Sequence, residues 1–165
     1  MRVIKLGLIS LVFFSVLITI ISLFFPSHVR ISKAIDINAG KEAVMEQLKD
    51  PANWKKWYPG ADTLALLTRD GKIKGIETGP GKGLMITAVN DSEVMAAGLG
   101  PGSGKGATGW NIFAGSSPGS TTVQWYMDFY LRWYPWEKFS SLLLEKRYGP
   151  LMEKGLTRLK ALLEK

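Results

Sequence analysis

The 165-residue sequence contains no cysteine and a single histidine, His28. The missing cysteine excludes a disulfide framework, a thiol nucleophile, a Cys-ligated zinc or iron–sulfur site and acylation at a cysteine. With one histidine, a His-based triad inside the domain and any multi-histidine metal centre are excluded too, so no metal and no cofactor is expected. Arginine-rich runs are also missing. The chain carries 21 Lys+Arg against 14 Asp+Glu, a net charge of +7. Arg2 and Lys5 precede an apolar run, which leaves 19 basic and 14 acidic residues beyond it, spread without clustering. This describes a solvated surface and gives no reason to expect nucleic acid, although Arg30 and Lys33 are placed to attract anionic lipid headgroups.

Charge of either sign is absent over the 20 residues between Leu6 and Phe25, LGLISLVFFSVLITIISLFF. At about 1.5 Å per residue such a helix spans the roughly 30 Å hydrocarbon core of a bilayer. A signal peptide has a shorter apolar region and ends in small residues at its cleavage site. Here the run ends in Phe24, Phe25 and Pro26, so it is read as an uncleaved transmembrane anchor over residues 1–26, followed by one domain over 27–165. Arg2, Lys5 and the α-amine ahead of the run, against Arg30 and Lys33 after it, favour a cytoplasmic N-terminus with the domain outside the cytoplasm.

Hydrophobic residues at 46% and charged residues at 21% indicate a packed fold rather than disorder. Val29, Ile31, Lys33, Ile35 and Ile37 alternate with polar positions as a strand with one buried face. KEAVMEQLKD reads as a helix closed by Pro51, and ANWKKWYPG as a second short helix or turn. TLALLTR, KIKGIET, LMITAV, Glu93 to Leu99, TGWNIFAG and TTVQWYMDFYLRW follow as strands separated by turn signals, an antiparallel meander. The last has Val123, Trp125, Met127, Phe129 and Leu131 on one face and Tyr126, Asp128 and Arg132 on the other. From Pro135 to Glu164 the sequence is helical, with a break or kink expected at Gly149-Pro150. Met152, Leu156, Leu159 and Leu163 form its apolar stripe.

No motif carries chemistry. GPGSGKGATG invites comparison with a phosphate loop, but Leu99 and Gly106 occupy positions where a Walker A loop needs Gly and Ser or Thr, and a strand follows where a dinucleotide fingerprint requires a helix. It reads as a flexible connection that could cover a cavity. The carboxylates one would recruit for acid/base work, Asp128 and Glu77, are expected to be solvated, and His28 to lie at the membrane boundary. No catalytic residue is assigned. Trp54, Trp57, Tyr58, Trp110, Trp125 and Trp133 are read first as core or rim packing and second as pocket lining.

The order strand, two short helices, antiparallel strands and long C-terminal helix resembles the START-like superfamily, also called SRPBCC and often labelled polyketide cyclase/dehydrase. ISKAIDINAGKEAVMEQLKDPANWKKWYPG looks like the family's first strand and helix pair, TTVQWYMDF like its final strand and YGPLMEKGLTRLKALLEK like its closing helix. The resemblance implies an α+β helix-grip fold, a curved antiparallel sheet of about six to seven strands around the long C-terminal helix, here preceded by one transmembrane helix. It also implies a cavity between sheet and helix that holds apolar small molecules or lipids. Its expected lining is Trp54, Trp57, Tyr58, Trp110, Trp125, Met127, Phe129, Met152, Gly155, Leu156 and Leu159. The function expected is a membrane-anchored binding module for a lipid or other apolar molecule; the alternative is a cyclase-like or hydrolase-like enzyme using the same cavity. Protein partners are left open.

Overall fold

The computed structural model describes residues 2–100 and 106–165. The uncharged run forms α1 (Arg2–Leu23), whose side chains are exposed apart from the buried Ser22 and the half-buried Thr19. Within it Ser15 and Thr19 donate their hydroxyls to the carbonyls of Leu11 and Ser15, one turn back, each at 2.8 Å, so these polar side chains are satisfied inside the helix. Its length and composition suit a single-pass membrane span, and a signal sequence would satisfy the same measure.

Seven strands form one antiparallel sheet: β1 (His28–Ile37), β2 (Ala65–Arg69), β3 (Lys72–Gly79), β4 (Lys82–Asn90), β5 (Glu93–Leu99), β6 (Ala107–Ala114) and β7 (Thr121–Tyr130). Their order is β1-β7-β6-β5-β4-β3-β2. Consecutive strands are neighbours from β2 to β7, as the turn signals predict. At Asp70-Gly71 both residues have positive φ, 54° and 72°, as a tight hairpin turn requires. β1 and β2 are the two edges of the open sheet, so the chain between them has to cross it. It does so as α2 (Lys41–Lys49) and α3 (Pro51–Trp57). Asp50 separates these helices because its carboxylate accepts the N–H of Ala52 at 2.9 Å while Pro51 fills the first helical position.

The C-terminal region departs from expectation. Helix α4 (Pro135–Ser140) is followed by a 3-10 turn over Ser141–Leu143, and α5 (Leu144–Leu163) then runs through Gly149-Pro150 without ending. The expected break therefore lies earlier, at residues 141–143. Proline excludes the helical conformation of its predecessor partly through a clash with that residue's Cβ, and Gly149 has none.

The strand register sets which side chains share a face. Val94, Trp110, Trp125 and Lys33 are directly paired across four strands, with Ile112, Val123 and Ile35 as the next row. This inner face meets α3 and the stripe Met152, Leu156 and Leu159 of α5 in a single buried core.

Candidate functional site

The centre of the inner face is aromatic. Trp54 and Trp57 reach it from α3, Tyr58 from the residue after α3, and Trp110 and Trp125 from adjacent strands, with all four indoles fully buried. Neighbouring ring centroids lie between 5.2 Å (Tyr58–Trp125) and 6.5 Å (Tyr58–Trp110), with Trp54–Trp110 at 5.3 Å and Trp110–Trp125 at 5.6 Å. These are packing distances, mostly in tilted or edge-on arrangements. Burial pushes the Tyr58 phenol up to about 12, so it remains a neutral donor at physiological pH.

Gly155 sets how closely α5 approaches this cluster. A Cβ there would lie 2.6 Å from Cζ3 of Trp125 and 3.0 Å from Cδ of Pro59. The missing side chain thus lets the helix backbone press against the indole.

The indole N–H groups are not equivalent. Trp54 donates to the Leu48 carbonyl at 2.8 Å, Trp57 to the Gln47 carbonyl at 3.3 Å and Trp125 to the Thr108 hydroxyl at 2.7 Å. Trp110 Nε1 and Gln47 Oε1 are buried with no hydrogen-bond partner among the described residues. Leaving such an atom unpaired costs about 1 to 3 kcal/mol, so the interior keeps one unused donor and one unused acceptor.

Toward the end of the sheet where β1 begins, the inner face mixes aliphatic and aromatic side chains and is only half-buried. Leu84 and Ile86 of β4, Leu66 of β2, Met127 and Phe129 of β7, and Leu144 and Tyr148 of α5 pack against the core there without being covered. The Phe129 and Tyr148 rings are 5.0 Å apart. Of GPGSGKGATG, residues 101–105 lie outside the described residues, and Ala107, Thr108 and Gly109 belong to β6 and not to a loop, since they pair with β7.

Among the described residues the register puts no carboxylate on the inner face. Lys33 stands on it, paired with Trp125 in the ladder, but its ammonium reaches out to Glu145 at 2.6 Å and Glu153 at 3.0 Å on the exposed side of α5. Hydrogen bonds to these two carboxylates, Glu145 first, raise the Lys33 pKa.

Asp128 is not solvated as the strand alternation suggests: it is 5% exposed. Gly109 leaves room for the Tyr126 ring to lie across the outer face of the sheet, since a Cβ there would meet its phenol atoms at 2.5 to 2.8 Å. The Arg30 guanidinium stacks over that ring at 4.4 Å and clamps Asp128 through two hydrogen bonds of 2.8 and 2.7 Å. His28 adds a third contact at 2.7 Å. The Arg30 hydrogen bond is the main reason the Asp128 carboxyl is held below the usual carboxylate range. Tyr126 in turn donates to Glu93 at 2.8 Å. Sequence alternation missed this network because the covering ring and cation come from the same nominally polar face. Glu77 is intermediate in exposure. Trp133 is exposed and lies apart from the aromatic cluster.

The family model described as polyketide cyclase / dehydrase and lipid transport matches residues 28–164. Among solved structures, a START superfamily protein from Mycobacterium smegmatis superposes with a TM-score of 0.61 at 18% identity, covering 82% of this chain and 97% of that one. The protein XoxI from Bacillus cereus gives 0.59 at 12% identity, covering 82% and 95%. The di-domain ARO/CYC StfQ of the steffimycin biosynthetic pathway gives 0.59 at 10% identity, covering 83% of this chain and 51% of that one. At these identities the structural likeness speaks for the helix-grip fold alone. A search of curated proteins by sequence finds no match.

Proposed function

The chain belongs to the polyketide cyclase / dehydrase and lipid transport family, a ligand-binding or cyclase-type domain on the helix-grip fold, and on that premise we propose that it is a membrane-anchored binding module for a lipid or another apolar small molecule. The ligand is held between the inner face and α5 at its half-buried end, with Met127 and Phe129 along the walls, while Trp54, Trp57, Tyr58, Trp110 and Trp125, packed against Met152, Gly155, Leu156 and Leu159, close the inner end. One observation carries the reading: a half-buried apolar face adjoins an aromatic core in which the Trp110 N–H has no acceptor among the described residues. Pockets for apolar ligands combine such walls with a few polar atoms that fix orientation. The matching ligand is mostly apolar, with a carbonyl or hydroxyl oxygen at the end that enters first.

A cyclase or hydrolase needs a group within hydrogen-bond reach of the substrate to move a proton. On the inner face Lys33 is held outward by two glutamates and Tyr58 is raised to about 12, so binding is favoured over turnover.

The test is extraction and native mass spectrometry of full-length protein in mild detergent, with tryptophan-fluorescence titration by fatty acids, sterols, isoprenoids and polycyclic aromatics. A co-purifying apolar molecule, or saturable quenching at about micromolar concentration, is expected. Absence of both overturns the binding reading. The anchor has its own test: the protein is expected to stay in the membrane fraction after alkaline carbonate washing, and release into the supernatant refutes it. A reporter fused after Lys165 is expected to behave as extracytoplasmic, in line with the basic leader.

A further inference from the structure

Beyond α1 and Phe24, eight large hydrophobic side chains of the described residues are exposed: Ile73, Val89, Phe113, Tyr130, Trp133, Trp136, Leu142 and Leu143. Three are scattered singly, which is ordinary for a soluble surface. The other five fall within residues 130–143, the segment that joins β7 to α5. Trp133 and Trp136 are 62% and 68% exposed, and the Tyr134 ring stacks on Trp136 and lies tilted against Trp133, at 4.9 Å from each. The two exposed indoles, joined through the half-buried Tyr134, find no cover among the described residues.

Their position is fixed by the end of α1. Lys138 of α4 is 3% exposed, and its ammonium donates to the Phe25 carbonyl at 3.0 Å and the Ser27 hydroxyl at 2.6 Å. A cation at a helix C-terminus meets its unpaired carbonyls and the negative end of its dipole. The Leu131 N–H donates to the Ser27 carbonyl at 2.7 Å, and the Phe25 and Phe139 rings meet at 5.3 Å. Residues 25–27 and 131–139 are thus stitched together, so the depth of α1 fixes the height of the aromatic segment.

We propose that residues 130–143 form a second membrane contact, in which Trp133, Tyr134, Trp136, Leu142 and Leu143 lie in the interfacial layer of the bilayer that α1 crosses. This inference rests on the anchor reading. With the uncharged run filling the hydrocarbon core, Phe25 is at its edge, and α4 is held at that level. Trp and Tyr prefer that layer because their rings are apolar with one polar atom that stays hydrated. Basic side chains border the patch. An open groove of about 440 Å³ lies beside it, lined by Ser140, Leu143, Leu144, Lys146 and Arg147, and an apolar floor under two cations suits the phosphate of an anionic lipid. The half-buried end of the inner face, at Phe129, Leu144 and Tyr148, adjoins the same segment. Docking therefore turns the open end of the interior toward the bilayer.

The cysteine-free chain allows single-site labelling of the full-length protein in vesicles of phosphatidylcholine and phosphatidylglycerol. An environment-sensitive fluorophore is placed through Trp136→Cys, Leu142→Cys, Val16→Cys, Ile73→Cys or Phe113→Cys, all at exposed positions. Labels at 136 and 142 are expected to be blue-shifted, to lose most of their quenching by aqueous iodide and to be quenched by nitroxides at shallow acyl positions. Those at 73 and 113 should remain open to iodide. If the label at 16 is in lipid while 136 and 142 quench with iodide as 73 and 113 do, the anchor stands and the second contact is refuted. If 16 itself is open to iodide, both readings fall. Labels at 136 and 142 shielded from iodide and nitroxide alike would show protein in place of lipid and also overturn the inference.

Discussion

Substitution of Gly155 tests how the domain interior is built. Carbon atoms pack best at about 3.5 to 4.0 Å, whereas a Cβ at this position would stand 2.6 Å from Trp125 Cζ3. The indole has little room to retreat, because its N–H is bonded to Thr108 at 2.7 Å and its ring is bordered by Tyr58, Trp110 and Trp57 at 5.2, 5.6 and 6.2 Å. Two effects oppose each other in Gly155→Ala. Replacing a helix-interior glycine by alanine gains about 0.8 to 1.0 kcal/mol of helix propensity, while overpacking a filled core costs about 1 to 3 kcal/mol. The net expectation is a loss of about 0 to 2 kcal/mol. Gly155→Leu adds three further carbons with no greater propensity gain and is expected to lose about 2 to 3 kcal/mol, several degrees in Tm for a domain of this size. Urea unfolding followed by near-ultraviolet circular dichroism, on the full chain in detergent, measures both. Trp125→Phe removes the atom that clashes, so in a double-mutant cycle it should relieve the cost of Gly155→Ala. The reasoning is refuted if Gly155→Ala is stabilising by the full propensity gain and Gly155→Leu leaves stability unchanged. That pair of results would show open space beside the helix, and weaker ligand uptake by Gly155→Leu would place the ligand there.

Asp128→Asn should destabilise the domain by about 1 to 3 kcal/mol at neutral pH through loss of charge-assisted hydrogen bonds. Because the folded carboxyl is held low by Arg30 and His28, the wild type should keep this contribution above the unfolded pKa of about 3.9. It should lose it as pH falls through the lower folded value, a dependence that acid titration of the variant should lack. In alkali, Tyr58 and Tyr126 are both raised to about 12 by burial, with Glu93 assisting at Tyr126. The stability these phenols provide is present below about pH 10 and declines from there to about pH 12, and absorbance titration should find two of the five tyrosines ionising late. Lys138→Met should release residues 24–28 from α4, seen as faster proteolysis there with the urea midpoint of the domain little changed. Equal protease resistance in wild type and variant would refute the stitching role.

Much of this architecture was legible in the chain. Twenty uncharged residues admit one reading as a helix, the alternation in β1 and β7 marks an inner and an outer face, and Asp70-Gly71 places a turn by local chemistry alone. The β2 to β7 meander followed from short connections, while the place of β1 beside β7 did not, and Met152, Leu156 and Leu159 were readable as the buried stripe from helical spacing. Tertiary structure decided what depends on residues distant in sequence. Asp128 is buried because Arg30 and His28, 98 and 100 positions away, close over it, and period-two alternation reports only which way a side chain points, not what comes to cover it. Gly155 was expected only as cavity lining, and it is the tertiary structure that sets Trp125 against it. The helix continued through Gly149-Pro150 because glycine removes half of the clash that the dipeptide signal assumes. Trp133 and Trp136 were indistinguishable by residue type from the tryptophans of the core. Only the bonds from Lys138 to Phe25 and Ser27 set them beside the end of α1.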